Sequence, residues 1–429
     1  MATPAASAAA AFGILATVAA VPAAAVAPGA EQDGGVVWSP LSPAAAGTCN
    51  IPSSDVPGVP WSLQRVVLDQ LWKGGVTTKG GITGKGVVVA VIDTGVDARN
   101  PQLQGKVRPG QVLLKDPQTK QTVAGGATTD PVGHGTKVAG IIAASPSAAT
   151  GFVGLAPDAT ILAIRQNDSE GSGDVKTLAT AIDDAVAAGA QVINISQDVR
   201  GTGPSGDFNG RDALAKSVQA AIDKGIIVVA SSGNDGKEGA TFPASLPGVI
   251  AVGASDRNNE RATFSQYGDF VDVAAPGVDM LSTVPSAGQC VDNGTSFSAP
   301  YVAGVAALLR QKYPVDKYPA WTPAAIAARI EQTAQRNGRD RDKFIGWGVV
   351  DPVKAVTSNA PPATAAVPDP VTRLAADPLV AQPLILGETQ ADRDRRTATY
   401  VLGAGLLGVL LISGGSVVLR DHRKRRAAI

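Results

Sequence analysis

The spacing of apolar residues changes several times along the chain. Short β-branched runs at 87–92, 159–164, 192–195, 226–230 and 249–252 are bounded by turn-forming residues, which predicts strands buried on both faces. Between them, 175–188 and 213–224 repeat apolar residues at helical spacing, and Gly189 and Gly225 follow as helix stops. Strands buried on both faces need helices on both sides, so this alternation predicts an α/β fold with a doubly wound, mainly parallel sheet. In such a sheet, functional groups collect where strands end and helices begin, because both open onto one crevice. No internal repeat or second boundary interrupts the region, and 61–357 reads as one domain.

The ends have a different character. Residues 1–27 are alanine-rich and apolar around 12–21, with small residues at Ala23, Ala25 and Ala27, as an export signal requires, although no cation precedes the apolar run. Residues 28–60 form a short N-terminal extension. From 358 to 397 the composition shifts to alanine, proline and charge, with Pro361, Pro362, Pro368 and Pro370 close together, which predicts a linker holding the domain off a membrane. Residues 398–419 carry no charge and are long enough to cross a ~30 Å hydrocarbon core. Five lysines or arginines follow at once, so the tail 420–429 is expected in the cytoplasm and everything before the span outside the cell. A buried hairpin is the alternative for 398–419.

Composition narrows the chemistry. Lys plus Arg and Asp plus Glu both number 37, so no net field attracts nucleic acid. The two cysteines, Cys49 and Cys290, show no metal-ligand spacing, and neither a metal nor another cofactor is expected. No glycine-rich phosphate loop follows the first strand, which argues against a nucleotide-binding α/β protein. Of two histidines, His422 falls in the basic tail, leaving His134 as the imidazole of the folded domain.

Four segments place reactive side chains at predicted element ends. Asp93-Thr94-Gly95 sets a carboxylate at the exit of the strand 87–92, where burial demands a hydrogen-bonded partner; a turn cap uses the same residue. His134 stands between Gly133 and Gly135 ahead of a helical pattern. The helix dipole is expected to disfavour its protonation, and a structural histidine fits the same surroundings. In Gly294-Thr295-Ser296-Phe297-Ser298-Ala299-Pro300, Ser296 opens a helix whose free amides favour the negative charge of acyl transfer, or it serves as an N-cap. The strand 226–230 runs into Ser231-Ser232-Gly233-Asn234, where Asn234 offers a donor to a tetrahedral oxyanion or closes a turn.

Val-Ile-Asp-Thr-Gly, Gly-His-Gly-Thr, a strand ending Ser-Gly-Asn and Gly-Thr-Ser-x-Ser-Ala-Pro, in that order, resemble the subtilisin (subtilase) family over about 84–356. The resemblance implies a subtilisin-type sheet and a serine endopeptidase acting on a protein or peptide substrate. Asp93 would orient His134, His134 act as general base and acid, Ser296 as nucleophile and Asn234 as oxyanion donor. It further implies that Gly171-Ser172-Gly173 and Ile195-Ser196-Gln197 flank an extended substrate, with Ser231, Ser232 and Gly233 lining the pocket for the side chain before the cut. Gln197 and Asp198 stand where small or apolar residues are commoner in the family, which weakens the expectation of a large apolar side chain there.

Signal, short extension, protease domain, proline-rich linker and terminal span resemble, in that order, the mycosins, membrane proteases associated with type VII secretion in actinobacteria. That resemblance implies a cell-membrane protein partnered with a type VII secretion complex, acting by cleavage or, alternatively, as a scaffold subunit with proteolysis secondary. The extension is much shorter than the prosegment of secreted subtilisins, so the domain is expected to fold without one. Outside the cell, Cys49 and Cys290 can form a disulfide closing a loop of roughly 240 residues, worth about 5 kcal/mol of chain entropy, which would pin the extension beside Ser296. Two reduced, buried thiols are the alternative.

Overall fold

The computed structural model describes residues 49–73, 81–116, 118–168, 173–200, 207–370 and 388–426. The expected signal and most of the extension lie outside these residues. The chain divides into two compact units, 1–369 and 370–429. In order, the first unit carries α1 (Trp61–Gln64), α2 (Leu68–Lys73), β1 (Val88–Asp93), β2 (Val107–Val112), α3 (His134–Ala143), β3 (Thr160–Arg165), α4 (Val175–Ala187), β4 (Val192–Ile195) and α5 (Arg211–Asp223). It continues with β5 (Ile227–Ser231), β6 (Val249–Ser255), β7 (Val273–Pro276), β8 (Met280–Thr283), β9 (Gln289–Asp292), α6 (Thr295–Lys312), α7 (Pro323–Thr333) and α8 (Pro352–Thr357). The second unit contains α9 (Gln390–Arg426).

Seven strands form a parallel sheet in the order β2-β3-β1-β4-β5-β6-β7, the doubly wound arrangement expected from the alternation. Strand order reverses at β1, which has β3 on one side and β4 on the other, so the chain leaves its end at a switch point. Ile92 pairs with Ile195, and Ile195 with Ala230. Asp93, Ser196 and Ser231, each one residue further along, therefore share one rim.

Alternation along β1 builds two cores. Val89 and Val91 pack with residues of α3 and α6, whereas Ala90 and Ile92 pack with α4 and α5. The helix α6 is buried from Thr295 to Arg310 and runs through the first of these cores. Arg310 is tolerated there because its guanidinium donates to the carbonyls of Trp321 (3.1 Å) and Gly225 (3.0 Å).

Residues 49–60 wrap around the domain. Cys49 and Cys290 form a disulfide with Cα atoms 6.0 Å apart. Beyond it Ser53 N–H donates to Ala287 O (3.0 Å), Val56 N–H to Gln289 Oε1 (2.8 Å) and Thr150 Oγ1 to Val56 O (2.7 Å). The extension is thus fastened to the β8–β9 hairpin and to the loop after α3.

The proline-rich segment begins on the domain surface. Arg329 of α7 donates to the carbonyls of Ser358 and Ala360, Gln332 accepts from Val367 N–H (2.8 Å), and Arg336 pairs with Asp369 (3.1 Å). In the second unit, α9 starts at Gln390, upstream of the uncharged stretch 398–419, and is long and apolar enough to cross a membrane.

Candidate active site

The loop that ends β1 and the first turn of α3 fit together through glycines. A Cβ on Gly135 would overlap the Gly95 carbonyl oxygen, and one on Gly95, whose φ is +103°, would overlap the Thr129 carbonyl oxygen. Bare backbone at both positions lets His134 approach the end of β1. Its Nδ1 lies 2.7 Å from Asp93 Oδ1, which also accepts from Thr94 N–H at 2.8 Å. Asp93 is buried, and the imidazole side chain is 21% exposed, so one edge of the ring remains open to a reactant.

Asp130, which the sequence reading passed over, holds this approach in place. It accepts from Thr94 Oγ1 (2.8 Å), Val132 N–H (3.1 Å), Gly133 N–H (2.8 Å), Thr136 N–H (2.8 Å) and Thr136 Oγ1 (2.7 Å). Thr94 Oγ1 in turn accepts from Gly135 N–H at 3.0 Å. The sequence signal was a carboxylate four residues before an imidazole that opens a helix, where orphan amides need acceptors.

The histidine's protonation preference differs from the dipole-based expectation. Burial favours the neutral ring, but the charge and hydrogen bond of Asp93, with Asp292 behind them, outweigh it and raise the pKa above the ordinary histidine value; Lys137 works the other way. A carboxylate in direct contact exceeds a helix-dipole effect of about 0.3–1 kcal/mol. Lys137 and Asp292 themselves form a largely buried pair at 2.6 Å, and the Phe297 ring lies 5.4 Å from the imidazole.

Ser296 is the second residue of α6, where backbone amides lack intrahelical acceptors. Its Oγ donates to Ser196 O at 3.2 Å, and no hydrogen bond joins it to His134 in this rotamer. Asn234 is fixed by Thr295, whose N–H and Oγ1 both donate to Asn234 Oδ1 at 2.9 Å, while Gly233 N–H donates to Thr295 Oγ1 at 3.2 Å. With Oδ1 so engaged, Nδ2 faces away as a donor that no described residue takes up.

The residues expected to flank a substrate are partly used internally. Ser196 Oγ donates to Ser296 O (2.9 Å), and Gln197 turns inward to Gln166 Oε1 (2.7 Å). Gly173 packs on the same Gln166, so the two proposed walls meet through one amide. Ser231, Ser232 and Gly233 follow β5 and are buried. Gly171 and Ser172 lie outside the described residues. Among the described residues no cluster of potential ligands could hold a metal ion.

This geometry has known counterparts. The profile of the Subtilase family matches residues 84–348, and the chain belongs to that family of serine proteases. Subtilisin NAT of Bacillus subtilis subsp. natto is 40% identical over 275 residues, 63% of this chain and 66% of that protein. Among solved structures, the crystal structure of MycP1 from Mycobacterium smegmatis matches with a TM-score of 0.63 at 30% identity, covering 80% of this chain and 96% of that one. The MycP3 protease from the type VII (ESX-3) secretion system matches with a TM-score of 0.59 at 30% identity, covering 71% and 91%. Both of these structural neighbours are mycosins.

Proposed function

We propose that this chain is a membrane-anchored, extracytoplasmic serine endopeptidase with Asp93, His134 and Ser296 as its triad and Asn234 as an oxyanion donor. The observation that carries the reading is the 2.7 Å bond between Asp93 and His134 Nδ1, on the rim where Ser296 opens α6. Rotation about the Ser296 Cα–Cβ bond frees Oγ from Ser196 O, at a cost of about 1 kcal/mol for one hydrogen bond. The hydroxyl then attacks the scissile carbonyl and passes its proton to His134 Nε2. Negative charge gathers on the carbonyl oxygen, where Asn234 Nδ2 and the Ser296 N–H donate. His134 returns the proton to the departing amine nitrogen, leaving an ester on Ser296. Water, deprotonated by the same imidazole, cleaves that ester and releases a carboxylic acid.

The helix α9 supplies the anchor, with the basic tail on the cytoplasmic side. The mycosin neighbours support a place beside a type VII secretion complex. The test is hydrolysis of an unfolded protein by the purified full chain. Ser296→Ala should lower turnover on the order of 10⁴-fold or more, and comparable turnover by that variant would refute the assignment. Comparing proteins released by native and Ser296→Ala cells separates cleavage from scaffolding: an unchanged profile favours the scaffold.

A further inference from the structure

Asp198 has no part in the acyl-transfer chemistry, yet it lies in the pocket proposed for the residue before the cut. A Cβ on Gly233, from the opposite wall, would stand 3.2 Å from Asp198 Oδ2 and 3.3 Å from both Asp198 Cγ and Thr241 Cγ2. The carboxylate and a methyl group therefore fill the gap between the two walls. Burial agrees: Ser231 and Ser232 are 0% exposed, Ser196 1%, Gln197 4% and Asp198 5%. A slot open to a phenylalanine ring would leave these residues accessible in the empty protein.

The carboxylate is also held there. Val199 and Phe242 exchange backbone hydrogen bonds of 2.7 and 2.8 Å, and Thr241 Oγ1 donates to Ser232 O at 2.8 Å, locking the segment behind Asp198 to the loop after β5. Among the described residues Asp198 accepts no hydrogen bond. Its neighbouring cation, Arg200, is committed to Asp235 (2.5 Å) and Gln266 Oε1 (2.7 Å). Burial raises the Asp198 pKa to about 6, opposed by Arg200 and reinforced by Asp235. Packing a large apolar side chain onto a carboxyl group that has no hydrogen-bond partner would cut it off from water, which is unfavourable in either protonation state.

We propose that Asp198 closes this pocket to large side chains, so that the enzyme cuts after small residues: glycine, alanine or serine. The inference rests on Ser296 as nucleophile and on 196–198 and 231–233 as the pocket walls. A lysine or arginine is shut out by the same closure, because its stem needs the space that the carboxylate and the Thr241 methyl group fill.

The experiment uses full-length protein in detergent and peptides that differ only in the residue before the cut: alanine, phenylalanine or lysine. The expected kcat/KM for alanine exceeds the other two by about tenfold or more. Asp198→Gly should raise the phenylalanine-to-alanine ratio about tenfold, and the isosteric Asp198→Asn should keep the alanine preference. Phenylalanine preferred by the native protein, lysine preferred and then lost in Asp198→Asn, or a ratio unmoved in Asp198→Gly would each overturn the proposal. If a fluorophosphonate labels Ser296 while the order is wrong, this inference alone fails. Without labelling or cleavage, the protease reading fails with it.

Discussion

Ser196 and Ser296 exchange hydrogen bonds in both directions, Ser196 Oγ to Ser296 O at 2.9 Å and Ser296 Oγ to Ser196 O at 3.2 Å. Pro300 is the cause. Standing four residues beyond Ser296 inside α6, it has no N–H to give that carbonyl, which would otherwise be orphaned in a buried helix turn. Ser196 provides the missing donor and is itself supported by Asn194 Nδ2 at 2.8 Å. The end of β4 is thereby tied to the backbone of Ser296. Ser196→Ala should destabilise the domain by about 1–3 kcal/mol, read as a lower midpoint in urea unfolding, and an unchanged midpoint would show that water replaces the donor.

The pH dependence of activity and that of stability run in opposite directions. Because the His134 pKa is raised, the contact of its protonated ring with Asp93 contributes stability fully below the ordinary value of ~6.5. That contribution is lost as pH rises through the raised value. With His134 as the proposed base, catalysis needs the neutral ring, so kcat/KM should fall as pH drops through a midpoint above ~6.5. Asp292→Asn removes a charge that raises this pKa and leaves Lys137 unpaired, so the acid limb should move to lower pH. A pH–rate profile identical in the two proteins would remove Asp292 from the account.

How far the sequence revealed this arrangement depended on how local each cause was. The strands β1 and β3–β5 are continuous β-branched runs and were legible to within a residue, and β6 was found but runs three residues past its expected end. The strand β2 was not, because Arg108, Pro109 and Gly110 break its apolar pattern; it pairs with β3 alone and is half exposed. The hairpin β8–β9 was missed as well, since its register depends on packing against α3 and on the disulfide at Cys290. The segments that carry Asp93, His134, Ser296 and Asn234 stood out because glycines and small residues mark close backbone approaches. Asp130 carried a local signal, its place just ahead of a helix start, whereas the inward turn of Gln197 and the Ser196–Ser296 exchange depend on contacts between distant segments, which no local pattern encodes.

Gly135 offers a steric test of the same close approach. Gly135→Ala would drive a methyl group into the Gly95 carbonyl, so α3 must shift away from β1. The expected result is a loss of about 1–3 kcal/mol of stability together with a fall in kcat larger than any change in KM. Retention of full kcat would mean that the Asp93–His134 contact tolerates the displacement.

The disulfide can be tested without touching the active site. Cys49→Ser should lower stability by about 2–5 kcal/mol and abolish the effect of a reductant on thermal unfolding. If reduction destabilises the native protein and the variant equally, the stabilisation lies elsewhere.

The most direct test of the central claim is to map, by mass spectrometry, the residue of the full-length protein that a fluorophosphonate modifies, and to time that modification. Labelling should fall on Ser296 and become slower on the order of 10²- to 10⁴-fold in His134→Ala. An adduct on any other residue, or an unchanged rate without the imidazole, would contradict the assignment of these side chains to one catalytic unit.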